Sequence, residues 1–229
     1  MALVDTAHGQ DISGSNLTSI ATTSGTMNVA SGALIVVGVK HNSGVSVSAV
    51  SDGGSNSLVY VGTATNASAG QSLDIWRKEN ATANAAATWT ATIGSAAYPA
   101  IRAVQFSGAA LASALDASNF AGFSDASSTV TSGSFTPAQT NEVAIAFAMC
   151  NSLPGTWSPD TGWTQVASGA GLFIFAQYKT PVAASAQTVA ATNDLGQYNA
   201  IGVATFKDAA GGGGGAGIGG FKSLLGVGR

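Results

Sequence analysis

The chain has 229 residues, with 8 Lys+Arg against 11 Asp+Glu, a net charge of −3, and only 8% charged residues beside 45% hydrophobic ones. An average soluble domain is about 25% charged, and eight basic residues scattered from Lys40 to Arg229 cannot form the concentrated footprint a nucleic-acid binder needs. The hydrophobic content excludes charge-driven disorder, and apolar runs such as Ala33 to Val39 are strand-sized, far short of a membrane-spanning helix.

The opening MALVDTAHGQ lacks the basic and apolar regions of a signal peptide, so classical secretion is not expected, and residues 1–16 read as an N-terminal arm. From there the apolar pattern has period two. LIVVGV (34–39), VSVSAV (45–50), LVYVGTA (58–64), LDIWRK (73–78), TWTATI (88–93) and AIRAVQF (100–106) are short and rich in β-branched or aromatic residues. Gly/Ser/Asn/Asp clusters such as DGGSN (52–56) and ENATAN (79–84) separate them, which predicts an all-β sandwich or barrel. Only 109–117 and the last residues hint at helix. In strand 143–150, Val143, Ile145, Phe147 and Met149 fall on one face, and Ala144, Ala146, Ala148 and Cys150 on the other. The large face can fill a sandwich core, while the small face admits another layer or a neighbouring subunit.

An internal repeat organises the chain. Tyr98-Pro-Ala-Ile-Arg-Ala-Val-Gln-Phe106 returns as Tyr198-Asn-Ala-Ile-Gly-Val-Ala-Thr-Phe206. Lys78 falls on Lys179, Leu58 on Trp163, and Leu34 to Val39 on Val143 to Ala148. The units are a first β repeat over 17–108, a connector over 109–131 and a second repeat over 132–209, with 17–209 expected to form one pseudo-symmetric sandwich. Residues matched in both halves, such as Ile101/Ile201, Phe106/Phe206 and Tyr98/Tyr198, read as scaffold, because an active site is a single constellation.

Chemistry is sparse. No Ser has glycine two residues away on both sides, as a nucleophile elbow requires. His8 and His41 belong to no metal-ligand pattern and read as solvated turn residues. The single cysteine, Cys150, forbids an intrachain disulfide and reads as a small buried hydrophobe. Asp74 and Glu79 could be offered as a glycosidase pair, but Asp74 should face solvent and Glu79 opens a turn. Asp52 and Asp160 suit turns in which Asp bonds the local backbone, and neither has calcium-loop spacing. Sequons at Asn16, Asn66 and Asn80 read as a by-product of composition. No catalytic residue, cofactor or metal is expected. Trp89 and Trp163 read as core, whereas Trp76 and Trp157 are candidates for ligand or subunit contact, since exposed rings make stacking platforms for sugars.

Residues 210–229 combine the tether GGGGGAGIGG (211–220) with an apolar arm whose Phe221, Leu224, Leu225 and Val227 are expected to bind a partner.

The patterns SDGGSNSLVYVGTA (51–64), LDIWRKENATANAAATWTATI (73–93) and YPAIRAVQFSG (98–108) resemble jelly-roll-like β-sandwich virion proteins of tailed bacteriophages, over roughly residues 17–208. The marker turn is loose here, reading DGGSN in one half and PDTGW in the other. The resemblance implies a non-enzymatic particle component assembled in the host cytoplasm, most simply a capsid decoration (cement) protein. Its partners would be copies of itself, as a trimer, and other virion proteins such as the major capsid protein, with neither nucleic acid nor membrane involved. The alternative is a receptor-binding tail- or head-fibre or lectin-like module that holds host glycans. Low charge fits a chain packed against other chains, since a free-standing protein keeps more surface charge for solubility.

Overall fold

The computed structural model describes residues 1–10, 12–23, 26–123, 126–151, 153–167 and 171–209, and none of them is helical. The expected arm residues Phe221, Leu224, Leu225 and Val227 lie outside the described residues. The first half forms β1 (Ala2–Gln10), β2 (Leu17–Ala21), β3 (Met27–Val29), β4 (Leu34–Asn42), β5 (Val47–Ser51), β6 (Val59–Asn66), β7 (Gln71–Lys78), β8 (Asn84–Ala87), β9 (Thr90–Ala96) and β10 (Ala100–Ser107). The second forms β11 (Leu115–Gly122), β12 (Ser127–Thr131), β13 (Glu142–Cys150), β14 (Trp157–Pro159), β15 (Thr164–Gln165), β16 (Ile174–Val182), β17 (Ala190–Gln197) and β18 (Asn199–Phe206).

The sheets repeat one order. A five-stranded sheet β1-β10-β4-β7-β6 faces a three-stranded sheet β2-β9-β5, and β11-β18-β13-β16-β15 likewise faces β12-β17-β14. The short pair β3-β8 belongs to the first half alone. All pairings are antiparallel. This is the order of an eight-stranded jelly roll, with its fifth strand placed beside the sixth on the larger sheet. Register agrees residue for residue. Ile101 pairs with Val39, which pairs with Asp74, and Ile201 pairs with Ala148, which pairs with Phe175.

The architecture differs from a single two-layer sandwich over 17–209: it has four layers, with the two five-stranded sheets back to back in the middle. The cause is hydrophobicity on both faces of those sheets. Along β4, Ile35, Val37 and Val39 join the core beneath the first three-stranded sheet, while Leu34 and Val36 join the core that extends through the second half. The large face of β13 fills this central seam. Phe147 lies over Gly38, where an added Cβ would come 2.6 Å from its ring, so only glycine permits the approach. Phe120 from β11 is wedged in the same way between Gly62 and Gly202. The alanine face of β13 meets the outer layer of its own half, in which Trp157 stacks on Phe175 at 5.7 Å with planes 8° apart.

Two segments differ from expectation. Residues 1–16 are not an arm over their first ten positions, because Ala2–Gln10 is an edge strand paired along β10. Without it the outer N–H and C=O groups of β10 would lack partners, and small Ala7 and Gly9 let the strand lie flat on the core. The expected connector 109–131 holds two strands, β11 and β12, and no helix. β11 takes the same edge beside β18 that β1 takes beside β10. Its mixed sequence LDASNFAG hides this, since Leu115, Phe120 and Ala121 pack on the central core without forming an alternating apolar stripe.

Candidate functional site

A five-stranded sheet is wider than the three strands covering it, so the inner face of β6 and β7 extends past β5. In the first half this overhang is an open cleft of about 450 Å³. Its floor is Ser72, Asp74 and Trp76 from β7 with Tyr60, Thr63 and Thr65 from β6, and its walls are His41 at the end of β4 and the turn 43–47. Period-two alternation places Ser72, Asp74 and Trp76 on this face and sends Leu73 and Ile75 into the central seam.

The wall is held in place. The Asn42 side-chain oxygen accepts from Ala97 N at 2.6 Å, Ser43 N donates to Gly70 O at 2.9 Å, and Gly94 N donates to Ser46 O at 3.2 Å. On the floor, the Tyr60 and Trp76 rings meet edge to face at 5.4 Å, and the Thr65 and Ser72 hydroxyls lie 2.9 Å apart. Burial raises the Tyr60 hydroxyl pKa, and the Asp74 carboxylate adds to the rise, so Tyr60 keeps its proton to donate. Trp76 is 8% exposed, and its buried Nε1 has no hydrogen-bond acceptor among the described residues.

His41 and Asp74 correct two expectations. Both are buried, and His41 Nε2 lies 3.2 Å from Asp74 Oδ2. Neither is a freely solvated turn or surface group. His41 Nδ1 lies 2.9 Å from the Asn42 carbonyl, which can only accept, so Nδ1 is the donor. Nε2 is turned toward the Asp74 carboxylate without making a hydrogen bond among the described residues, and the hydroxyl of Ser72, the direct partner of His41 across the strands, lies against that of Thr65. Nε2 thus faces the carboxylate, whereas in a Ser-His-Asp relay Nδ1 faces it and Nε2 holds the nucleophile. Glu79 takes no part in the cleft. It pairs with Arg77 and accepts the Ala114 and Leu115 N–H groups at 2.8 and 3.1 Å, clamping the link between the halves.

Of the two tryptophan candidates, only Trp76 reaches an opening. Trp157 is corrected: it is 2% exposed, stacked on Phe175, with Nε1 donating to Leu172 O at 3.0 Å. Trp89 and Trp163 are buried. Cys150 is buried, and burial pushes its thiol up to about 11, the opposite of a reactive thiolate. Asp52 accepts from Gly54 N, Asn56 N and the Asn56 and Asn84 amides at 2.7–3.1 Å. Burial would raise its carboxyl, but those bonds outweigh it and hold the pKa below its ordinary value. Asp160 accepts from Thr161 N and Ala190 N. Both are turn-builders, and among the described residues no group of three or more His, Cys, Asp or Glu is placed to hold a metal ion.

In the second half, described side chains occupy the equivalent position. By strand register, Cys150 stands where His41 stands, Phe175 for Asp74, Gln177 for Trp76 and Gln165 for Tyr60. Trp157 lies on Phe175, and Gln177 bonds Asp160 N and Ala190 O at 2.8 and 2.6 Å, so side chains fill the overhang. The sequence signal for the site was thus a mismatch between the halves at otherwise matched strands. No protein-family model matches the chain, and no curated protein matches it.

Proposed function

We propose that the chain is a non-enzymatic structural component of a bacteriophage particle, most simply a capsid decoration protein that packs against copies of itself and against other virion proteins such as the major capsid protein. The observation carrying this reading is the surface. Five charged side chains, Lys40, Asp52, Asp74, Arg102 and Glu142, are buried, so a chain with 8 Lys+Arg and 11 Asp+Glu keeps few charges facing outward. Such a surface is poor at keeping a monomer dispersed and costs little to desolvate against another protein. With residues 1–10 committed to a sheet edge, fastening falls to the C-terminal segment with Phe221, Leu224, Leu225 and Val227. Deleting 211–229 should leave a folded protein that no longer enters particles; normal incorporation of the truncated chain would refute the fastening role.

The open cleft supports a second reading, a receptor-binding fibre or lectin-like module that holds host sugars. Blocked adsorption of particles to host cells by the purified chain separates this reading from the purely structural one.

A further inference from the structure

We infer that the cleft over β6 and β7 binds one unit of a neutral saccharide, seated on Tyr60 and Trp76 and held through its hydroxyls by Asp74, Thr63, Thr65 and Ser72. The inference rests on the sugar-holding reading and does not depend on whether the chain is part of a particle.

Four features select the ligand. The volume, about 450 Å³, lies in the range of about 300–1,000 Å³ typical of small-molecule sites. The lining contains no Lys or Arg, its His41 is turned to Asp74, and that carboxylate would repel an anion, which disfavours phosphate and acidic sugars. A purely apolar ligand would strip water from the hydroxyls and the carboxylate without replacing its hydrogen bonds, which is costly. A polyol replaces them, because a carboxylate accepts from sugar hydroxyls while Ser, Thr and Tyr hydroxyls both donate and accept. The aromatic pair supplies the apolar patch that the C–H face of a pyranose covers: Tyr60 is 46% exposed and available, and Trp76 lies beside it.

Two further observations bear on a ligand. Trp76 lines the cleft while its Nε1, without a hydrogen-bond partner among the described residues, is closed to solvent, so the indole offers a ligand its ring rather than its N–H. The site is also preformed on strands: Tyr60 braces Trp76, His41 braces Asp74, and the turn 43–47 is pinned to neighbouring loops. Preorganisation of this kind removes much of the entropy lost on binding. The corresponding overhang of the second half is filled by Trp157 and Phe175, so one site per chain is expected.

The test is titration of the full chain with methyl glycosides of glucose, galactose and mannose and with N-acetylglucosamine, followed by NMR of the tryptophan indole N–H resonances. Inorganic phosphate and tetramethylammonium serve as anionic and cationic comparisons. At least one neutral sugar should bind with a Kd on the order of millimolar, as suits a ligand of this size, and should shift the Trp76 indole resonance. Tyr60→Ala, at an exposed position, and Asp74→Asn, which keeps the side-chain shape, should each weaken binding about tenfold or more, with unchanged circular dichroism for at least Tyr60→Ala. The inference is overturned if none of the neutral sugars binds, if binding survives Tyr60→Ala undiminished, or if only phosphate or tetramethylammonium shifts the Trp76 signal. A chain that is recovered from particles but binds no sugar would sink this inference and leave the structural reading standing.

Discussion

Lys40 and Arg102 are buried cations on the seam between the halves. The Lys40 ammonium donates to Tyr98 O at 2.6 Å and lies 4.8 Å from the Phe173 ring centre, yet burial lowers its pKa to about 7. Arg102 is 1% exposed with no hydrogen-bond partner on any guanidinium nitrogen among the described residues, and burial lowers it to about 10. An unpaired buried charge is costly, and apolar replacement of buried ions often stabilises by roughly 1–4 kcal/mol. Arg102→Met should therefore raise the denaturation midpoint; a lower midpoint would mean that the guanidinium has a partner. Asp52→Ala acts in the other direction, leaving the Asn56 and Asn84 amides and two backbone N–H groups without their acceptor, at a cost of about 3 kcal/mol in urea unfolding. The turn role of Asp52 was legible in the sequence, because Asp in SDGGSN has local N–H groups to bond. The burial of His41 and Asp74 was not, since they sit on different strands and only the β4–β7 register brings them together.

Among the elements, strands with strict alternation were read correctly from the sequence, because period two with β-branched residues has few other solutions. Strands β1 and β11 were missed for a common reason: each is a mixed-polarity edge held by its ladder to β10 or β18 rather than by an apolar stripe. The large and small faces of β13 were visible, but which layer each face meets depends on packing between sheets. The seam itself makes a prediction. Phe147→Ala should cost about 3–5 kcal/mol, as for large aromatic truncations in cores, while Gly38→Val should cost at least as much by driving a side chain into the Phe147 ring. Thermal denaturation of both variants with near-wild-type midpoints would contradict the back-to-back packing.

For the whole molecule, the buried titratable groups set a pH profile. Glu142, fully buried, is pushed up to about 7 by burial, with the Asp116 carboxylate adding to the rise. Between its ordinary 4.5 and about 7 the folded chain holds a proton that the unfolded chain releases, so stability falls as pH rises. Lys40 does the reverse: from about 7 to 10.5 the unfolded chain holds the extra proton, and stability rises with pH. Above the ordinary cysteine value of 9.0, Cys150 opposes that rise, because its folded pKa is near 11. Each full proton difference is worth about 1.4 kcal/mol per pH unit. Urea unfolding should thus show least stability near pH 7 within the span from about 5 to 9, and Lys40→Met should abolish the alkaline limb alone. The functional claim is tested most directly by the place of the chain in a particle. Mass spectrometry and immunogold labelling of density-purified phage particles should find it in many copies on the outside. Recovery only from the soluble lysate, with particles complete and unlabelled, would contradict the account.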